Sequence, residues 1–268
     1  MKLIYKTDHS TVEGNESIVT KTFTPTAMEL VREGLMRSPR QEAKLQEELG
    51  KTILTPTVYS SNENSFTMQR LPYCMAGEPL TFNHLGKLTE IIHSIREQGY
   101  AHTDLKRQNI GADESQQKIY LFDWNGATKI GERQSMPQFT PGYSPPELEG
   151  NENVQETTDI YSFAMICLRT LGYKPRRFGS MPSFNDYVQY GTENWSNRKA
   201  YVDNLEQCLF LDHRKRMKSM HVFKELYEVL DESYLTKYRE QARAMSQKDT
   251  LRSPKSERFT FVFDQTDF

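Results

Sequence analysis

The stretch YAHTDLKRQNIGADESQQKIYLFDWNGA, residues 100–127, sets two acids, a lysine and an amide in a compact order. Asp104, Lys106 and Asn109 lie close together, and Asp123 follows a run that reads as strand, polar turn and strand. Residues 110–112 suit one short strand, 113–117 a turn and 118–122 the returning strand. A hairpin brings its two ends together. Asn109 and Asp123 are therefore expected to face each other across a few ångströms.

One amide oxygen and one carboxylate converging at such a point suit Mg²⁺, a hard cation that prefers oxygen and keeps waters and substrate phosphates as its other ligands. Asp104 is expected on the same loop with its carboxylate free, and Lys106 supplies a positive charge between them.

Composition narrows the surroundings of this chemistry. A chain of 268 residues allows one large domain or two small ones sharing a cleft. Mean hydropathy is −0.74, but 14 Phe and 14 Tyr leave enough apolar surface for a core. Net charge is −2, which argues against a partner made of nucleic acid or an anionic membrane, since either calls for a basic surface. Cys74, Cys167 and Cys208 are odd in number and far apart, with no disulfide or zinc spacing, and fit a reducing cytosol; a cytoplasmic protein is expected. The apolar run at the start is too short for a signal peptide. The most apolar later segment, 160–171, would span about 18 Å as a helix against a bilayer core of ~30 Å, so a soluble protein is expected.

Along the chain, 2–6 and 17–23 read as strands of a hairpin joined by a polar connection containing Gly14. Residues 39–48 read as a charged helix, 55–59 and 65–71 as two further strands. After Pro72 the period changes: Leu85, Leu88, Ile91, Ile92 and Ile95 follow helical spacing, with Gly99 as a stop. Residues 158–171 are apolar nearly all round, as in a helix buried inside a globule, and 221–230 form an amphipathic helix. The expected class is α+β: a sheet-rich part over 1–71 and a helical part over 72–232. A polar extension, 233–268, follows; it is expected to be partly disordered and ends with Phe259, Phe261 and Phe263 alternating like a strand.

The order His-x-Asp-x-Lys-x-x-Asn followed by Asp resembles the catalytic loop of eukaryotic-type serine/threonine protein kinases. Three more stretches carry the resemblance. FTPGYSPPELEG (139–150) resembles the substrate-docking segment, and TTDIYSFAMICLRTLG the buried helix whose acid, Asp159, holds the catalytic loop. CLFLDHRKRM (208–217) resembles the segment whose arginine, Arg216, pairs with Glu147. Upstream, SIVTKTF resembles the strand with the nucleotide lysine, Lys21, and Glu42 in the next helix is its candidate partner. FTMQRL resembles the strand leading to the interlobe hinge, with Met68 as gatekeeper and backbone groups of Gln69 to Leu71 facing adenine.

The resemblance implies a bilobal protein-kinase-like fold, ATP and Mg²⁺ as cofactors, and a protein substrate. Asp104 would orient the acceptor hydroxyl and take its proton. Lys106 would neutralise the transferring phosphoryl, Asn109 and Asp123 would hold the metal, and Lys21 with Glu42 would position the α- and β-phosphates. The aligned pattern departs in three places. No glycine-rich loop is recognisable, and the first strand of the small lobe is expected to be missing. Asp123-Trp124-Asn125 replaces Asp-Phe-Gly; Asn tolerates positive φ and would keep the turn. Thr103 replaces an arginine, which implies activity independent of phosphorylation of the activation segment. The missing loop keeps a pseudokinase scaffold in view, and a small-molecule phosphotransferase is a third reading. The C-terminal extension is expected to dock on its own small lobe or on a partner.

Overall fold

Alternation of buried and exposed side chains builds the first part of the chain. The computed structural model describes residues 2–76, 80–171, 195–230 and 236. Five strands, β1 (Lys2–Lys6), β2 (Ser10–Gly14), β3 (Ile18–Phe23), β4 (Val58–Ser61) and β5 (Ser65–Gln69), form one antiparallel sheet in the order β1-β2-β3-β5-β4. On β3 the period of two turns Val19, Lys21 and Phe23 to the same inner face, opposite Phe66 and Met68 of β5. These apolar side chains, with Ala27 and Ala43, make a small core. Each large one contributes roughly 1.5–3 kcal/mol by leaving water. Lys21 is thereby carried into an apolar layer.

The expected hairpin between 2–6 and 17–23 does not form. Residues 10–14, read from the sequence as a connection, make β2, which pairs with β1 on one side and β3 on the other. The first strand is not missing either: β1 occupies it, and only Thr7, Asp8 and His9 join it to β2, without a glycine. Both strands lack clean apolar alternation because β1 is exposed along its whole length and β2 only buries its end residues.

Two helices, α1 (Pro25–Arg32) and α2 (Pro39–Leu49), join β3 to β4; α1 packs on the small core of the sheet, and α2 also reaches the larger core through Leu45 and Leu49. Ser38 starts α2 with a reciprocal cap: Gln41 N–H donates to its Oγ at 3.2 Å and Ser38 N–H donates to Gln41 Oε1 at 2.8 Å. Pro39 suits the first turn, where no amide is needed. Glu42, Leu45, Gln46 and Leu49 fall on the buried face at helical spacing, so a helix charged on its outside buries one carboxylate.

The remainder is helical, with α3 (Phe82–Glu97), α4 (Pro146–Glu149), α5 (Thr158–Thr170), α6 (Trp195–Cys208) and α7 (His221–Val229). α5 is buried on every side between α3 and α6, as its composition predicts. Phe82, Tyr201, Phe223 and Tyr227 close the far end of this core with ring centroids 5.5–6.2 Å apart. Small strands line the junction with the sheet: β6 (Tyr73–Cys74), β8 (Ile110–Ala112) and β9 (Ile119–Leu121) form one group, and β7 (Tyr100–Ala101) pairs with β10 (Thr128–Lys129). Among the described residues no helix is long and apolar enough to cross a membrane. The expectations for 233–268, including the alternating phenylalanines, lie outside the described residues except at 236.

Candidate active site

The hairpin is where the sequence placed it. β8 and β9 pair with Ile110 opposite Leu121, and their side chains are buried, anchoring the pair in the helical core. Phe122 N–H donates to Asn109 O at 3.1 Å, so the chain leaves β9 beside Asn109, one residue before Asp123. A single 3-10 turn, Arg107–Asn109, swings the Asn109 side chain back over the loop. Its Nδ2 donates to Asp104 O at 2.8 Å and to Asp104 Oδ2 at 3.2 Å.

Asp104 was expected to keep a free carboxylate, and it does not. Lys106 Nζ lies 2.8 Å from Oδ2, and the Thr140 hydroxyl donates to Oδ1 at 2.6 Å. Lys106 is also 3.4 Å from Thr140 Oγ1. A carboxylate has about four lone-pair sites, so a loop that closes on itself fills them with its own donors.

The loop is held from beneath by α5. Asp159 in the first turn of that helix accepts from His102 N–H at 2.6 Å and Thr103 N–H at 2.9 Å. Burial raises the Asp159 carboxyl above its ordinary value, against the opposing influence of His102 and the two amides. Thr103 has φ +66°, a left-handed conformation that a β-branched residue rarely takes and that costs on the order of 1–3 kcal/mol. Its hydroxyl donates to Gly126 O at 2.7 Å and accepts from Gln134 Nε2 at 2.7 Å, which fixes the residue there. A Cβ at Gly126 would lie 2.4 Å from Gln138 Oε1 and 3.0 Å from Thr103 Oγ1, so any larger residue there would have to displace the Gln138 side chain. Gln134 was not anticipated; nothing in its local sequence marks a contact made 31 residues away.

The second half of the site spans the junction. Lys21 Nζ on β3 lies 2.9 and 3.1 Å from the two oxygens of Glu42 on α2, and 2.7 Å from Asp123 Oδ1. The ammonium also sits 5.6 Å from the Phe23 ring and 6.0 Å from the Phe66 ring. Burial disfavours the Lys21 charge, but Asp123 and Glu42 outweigh it and raise the pKa. Burial raises the Glu42 carboxyl, with Lys21 pulling the other way. Asp123, partly exposed, goes down: burial opposes its charge and the Lys21 ammonium prevails.

Asp123 has φ +67°, whereas Asn125 is outside the left-handed region. The expectation that Asn125 serves a positive-φ turn is therefore wrong. Its side chain has a different use: Nδ2 lies 3.3 Å from Glu42 Oε2 and 3.4 Å from Arg37 O. Trp124 between them is fully buried, its ring 4.7 Å from that of His102.

Met68, the candidate gatekeeper, is buried in one core with Val19, Ala43 and Phe66. In the candidate hinge segment, the amide of Gln69 is taken by Thr57 O at 2.8 Å. The Leu71 amide has no partner among the described residues, and the Leu71 side chain packs over Gly111. In the helical part, Arg216 forks onto both oxygens of Glu147 at 2.5 and 2.7 Å with both residues buried, as the sequence pattern anticipated. Asn109 spends its NH₂ on Asp104, and Asp123 spends one oxygen on Lys21. That leaves the Asn109 carbonyl and the second Asp123 oxygen as hard donors of the type Mg²⁺ takes. No cluster of three His, Cys, Asp or Glu suited to a metal occurs among the described residues, so such an ion would draw its remaining ligands from phosphate and water.

The family model of the protein kinase domain matches residues 27–228, starting just after β3. A comparison with curated proteins found no match. The matched region holds the loop with Asp104, Asp159 of α5, residues 139–150 and the Glu147–Arg216 fork, and leaves Lys21 outside it. A β-sheet part followed by a helical part, matched over most of its length, places this chain in the protein kinase family, whose domains are phosphotransferases that generally use ATP and Mg²⁺.

Proposed function

We propose that the chain is an active serine/threonine protein kinase, transferring the γ-phosphate of ATP to serine or threonine hydroxyls of a protein substrate. One observation carries the reading. Lys21 joins Glu42 of the sheet-side helix to Asp123 of the hairpin, so the two halves of a nucleotide site are drawn together by charge. Folding has no need of a buried ammonium shared by two carboxylates, because apolar residues of the same volume are often as stable or more so.

The roles follow from the contacts. Lys21 binds the α- and β-phosphates, Glu42 holds it in place, and backbone groups of Gln69 to Leu71 meet adenine. Asp104 accepts the hydroxyl proton as the substrate oxygen bonds to γ-phosphorus and ADP departs. Lys106, 2.8 Å from Asp104, stabilises negative charge on the transferring group. Asn109 and Asp123 would hold Mg²⁺, which when bound supplies charge to the phosphate oxygens. Thr140 supports a serine or threonine acceptor: its hydroxyl already rests on Asp104, so an aliphatic alcohol of that reach can dock on the carboxylate. Catalysis on this reading is alignment plus charge, as the chemistry requires.

A pseudokinase remains a second reading because the three-residue turn between β1 and β2 has no glycine to wrap a triphosphate. One experiment separates them. Wild type, Asp104→Ala and Asp123→Ala are incubated with Mg²⁺, labelled ATP and a basic protein, and phosphosites are read by mass spectrometry. Transfer to serine or threonine that falls on the order of 10²-fold or more in both variants is expected. Equal background in all three would establish the scaffold, and phosphotyrosine would overturn the acceptor assignment. A small-molecule acceptor is disfavoured by the docking segment that Glu147 and Arg216 hold rigid.

A further inference from the structure

Three backbone carbonyls, one guanidinium and one amide make a reciprocal contact between the segment after Asp123 and the entry to α2. Arg37 Nη1 donates to Asn125 O at 2.5 Å and lies 3.5 Å from Trp124 O. In return, Asn125 Nδ2 reaches Arg37 O at 3.4 Å and Glu42 Oε2 at 3.3 Å. Glu42 has no exposed surface, so each of its oxygens depends on protein donors. Oε1 has Lys21 at 2.9 Å; Oε2 has Lys21 at 3.1 Å and Asn125. Glycine at 125 would remove the one donor to Glu42, among the described residues, that does not come from Lys21. The Lys21 ammonium is the group that must turn toward phosphate when nucleotide arrives, so a donor independent of it keeps Glu42 in place while Lys21 changes partners.

We propose that Asn125 is a positioning residue: with Arg37 it latches α2 to the Asp123 segment, so the Lys21–Glu42 pair is assembled before nucleotide or substrate binds. The proposal rests on the reading of Lys21 as the phosphate lysine, and it adds what holds the helix that serves it. Leucine at 125 would have nearly the size of Asn, no donor and no charge to set beside Glu42, which separates hydrogen bonding from packing.

The test is amide hydrogen exchange on the nucleotide-free full chain at pH 7.5, comparing residues 39–49 (α2) with 82–97 (α3). Asn125→Gly, Asn125→Leu and Arg37→Met are each expected to speed exchange in α2 about tenfold, the scale set by losing a hydrogen bond to a charged group, and to leave α3 unchanged. Asn125→Gly should also raise the KM for ATP more than it lowers kcat, and saturating Mg²⁺ and ATP should restore α2 protection. Unchanged exchange in α2 overturns the latch. Equal acceleration of α3 overturns it too, by showing general loosening. Full protection in Asn125→Leu refutes hydrogen bonding as the cause. A wild type that transfers no phosphate but loses α2 protection in these variants would refute the kinase reading and leave the latch standing.

Discussion

Arg216 and Glu147 show what a single buried contact controls. The fork joins residues 69 apart in sequence, with neither side chain reaching solvent. Arg216→Met leaves a lone buried carboxylate, and a loss of about 3–5 kcal/mol is expected from urea denaturation. Cysteine chemistry makes a second measurable difference. Burial pushes the Cys167 thiol up to about 12, against weak opposition from Tyr227 and Tyr201, and it raises Cys208 as well, whereas Cys74 is exposed. A thiol reagent at pH 8 should modify Cys74 quickly and the other two only on unfolding. The sign of the pH effect follows. Unfolded thiols ionise near ~8.5 and folded Cys167 near 12, so above about pH 9 the unfolded chain binds fewer protons and stability declines. The arrangement of Asp104, Lys106, Asn109 and Asp123 could be read from their spacing because a hairpin is a local object. The Arg37, Asn125 and Gln134 contacts could not: they span 88, 83 and 31 residues and leave no periodic trace.

At the scale of elements, α2 depends on its first turn. Ser38→Ala removes one side of the reciprocal cap and should cost about 1 kcal/mol, seen as a lower urea midpoint at constant slope. Strongly patterned elements were legible, including the β8–β9 hairpin and α5, because a buried face imposes a period. β2 was read as a connection, since only its ends are buried. α6 leaves little trace in the sequence for a related reason. Tyr201, Leu205 and Cys208 lie on one buried stripe at helical spacing, but the polar residues around them mask it. The β1–β2 turn also belongs to this scale. With only Thr7, Asp8 and His9 available, fewer amides can wrap a triphosphate, and a KM for ATP in the upper part of the usual range, toward ~1 mM, is expected from initial-rate kinetics.

Across the whole molecule, the segment after Asp123 is tied to the loop before Asp104 by neutral side chains. Gln134 bridges to Thr103, and Gln138 N–H donates to Gln134 Oε1 at 3.1 Å; every partner in this chain of contacts is neutral. Phosphatase treatment should therefore leave the transfer rate unchanged, while Gln134→Ala should lower it several-fold, both measured with the same basic protein; a phosphatase-sensitive rate would contradict this. The outermost strand carries a different consequence. β1 is an exposed edge with Leu3, Ile4 and Tyr5 open to water, an invitation for copies of the chain to zip together. Lys2 and Lys6 flank those residues, and a register shift between Leu3 and Tyr5 bends the strand out of line. Like charge and a crooked ladder both resist a second strand, so the same three hydrophobic side chains that would make concentrated solutions sticky stay harmless for as long as those lysines remain.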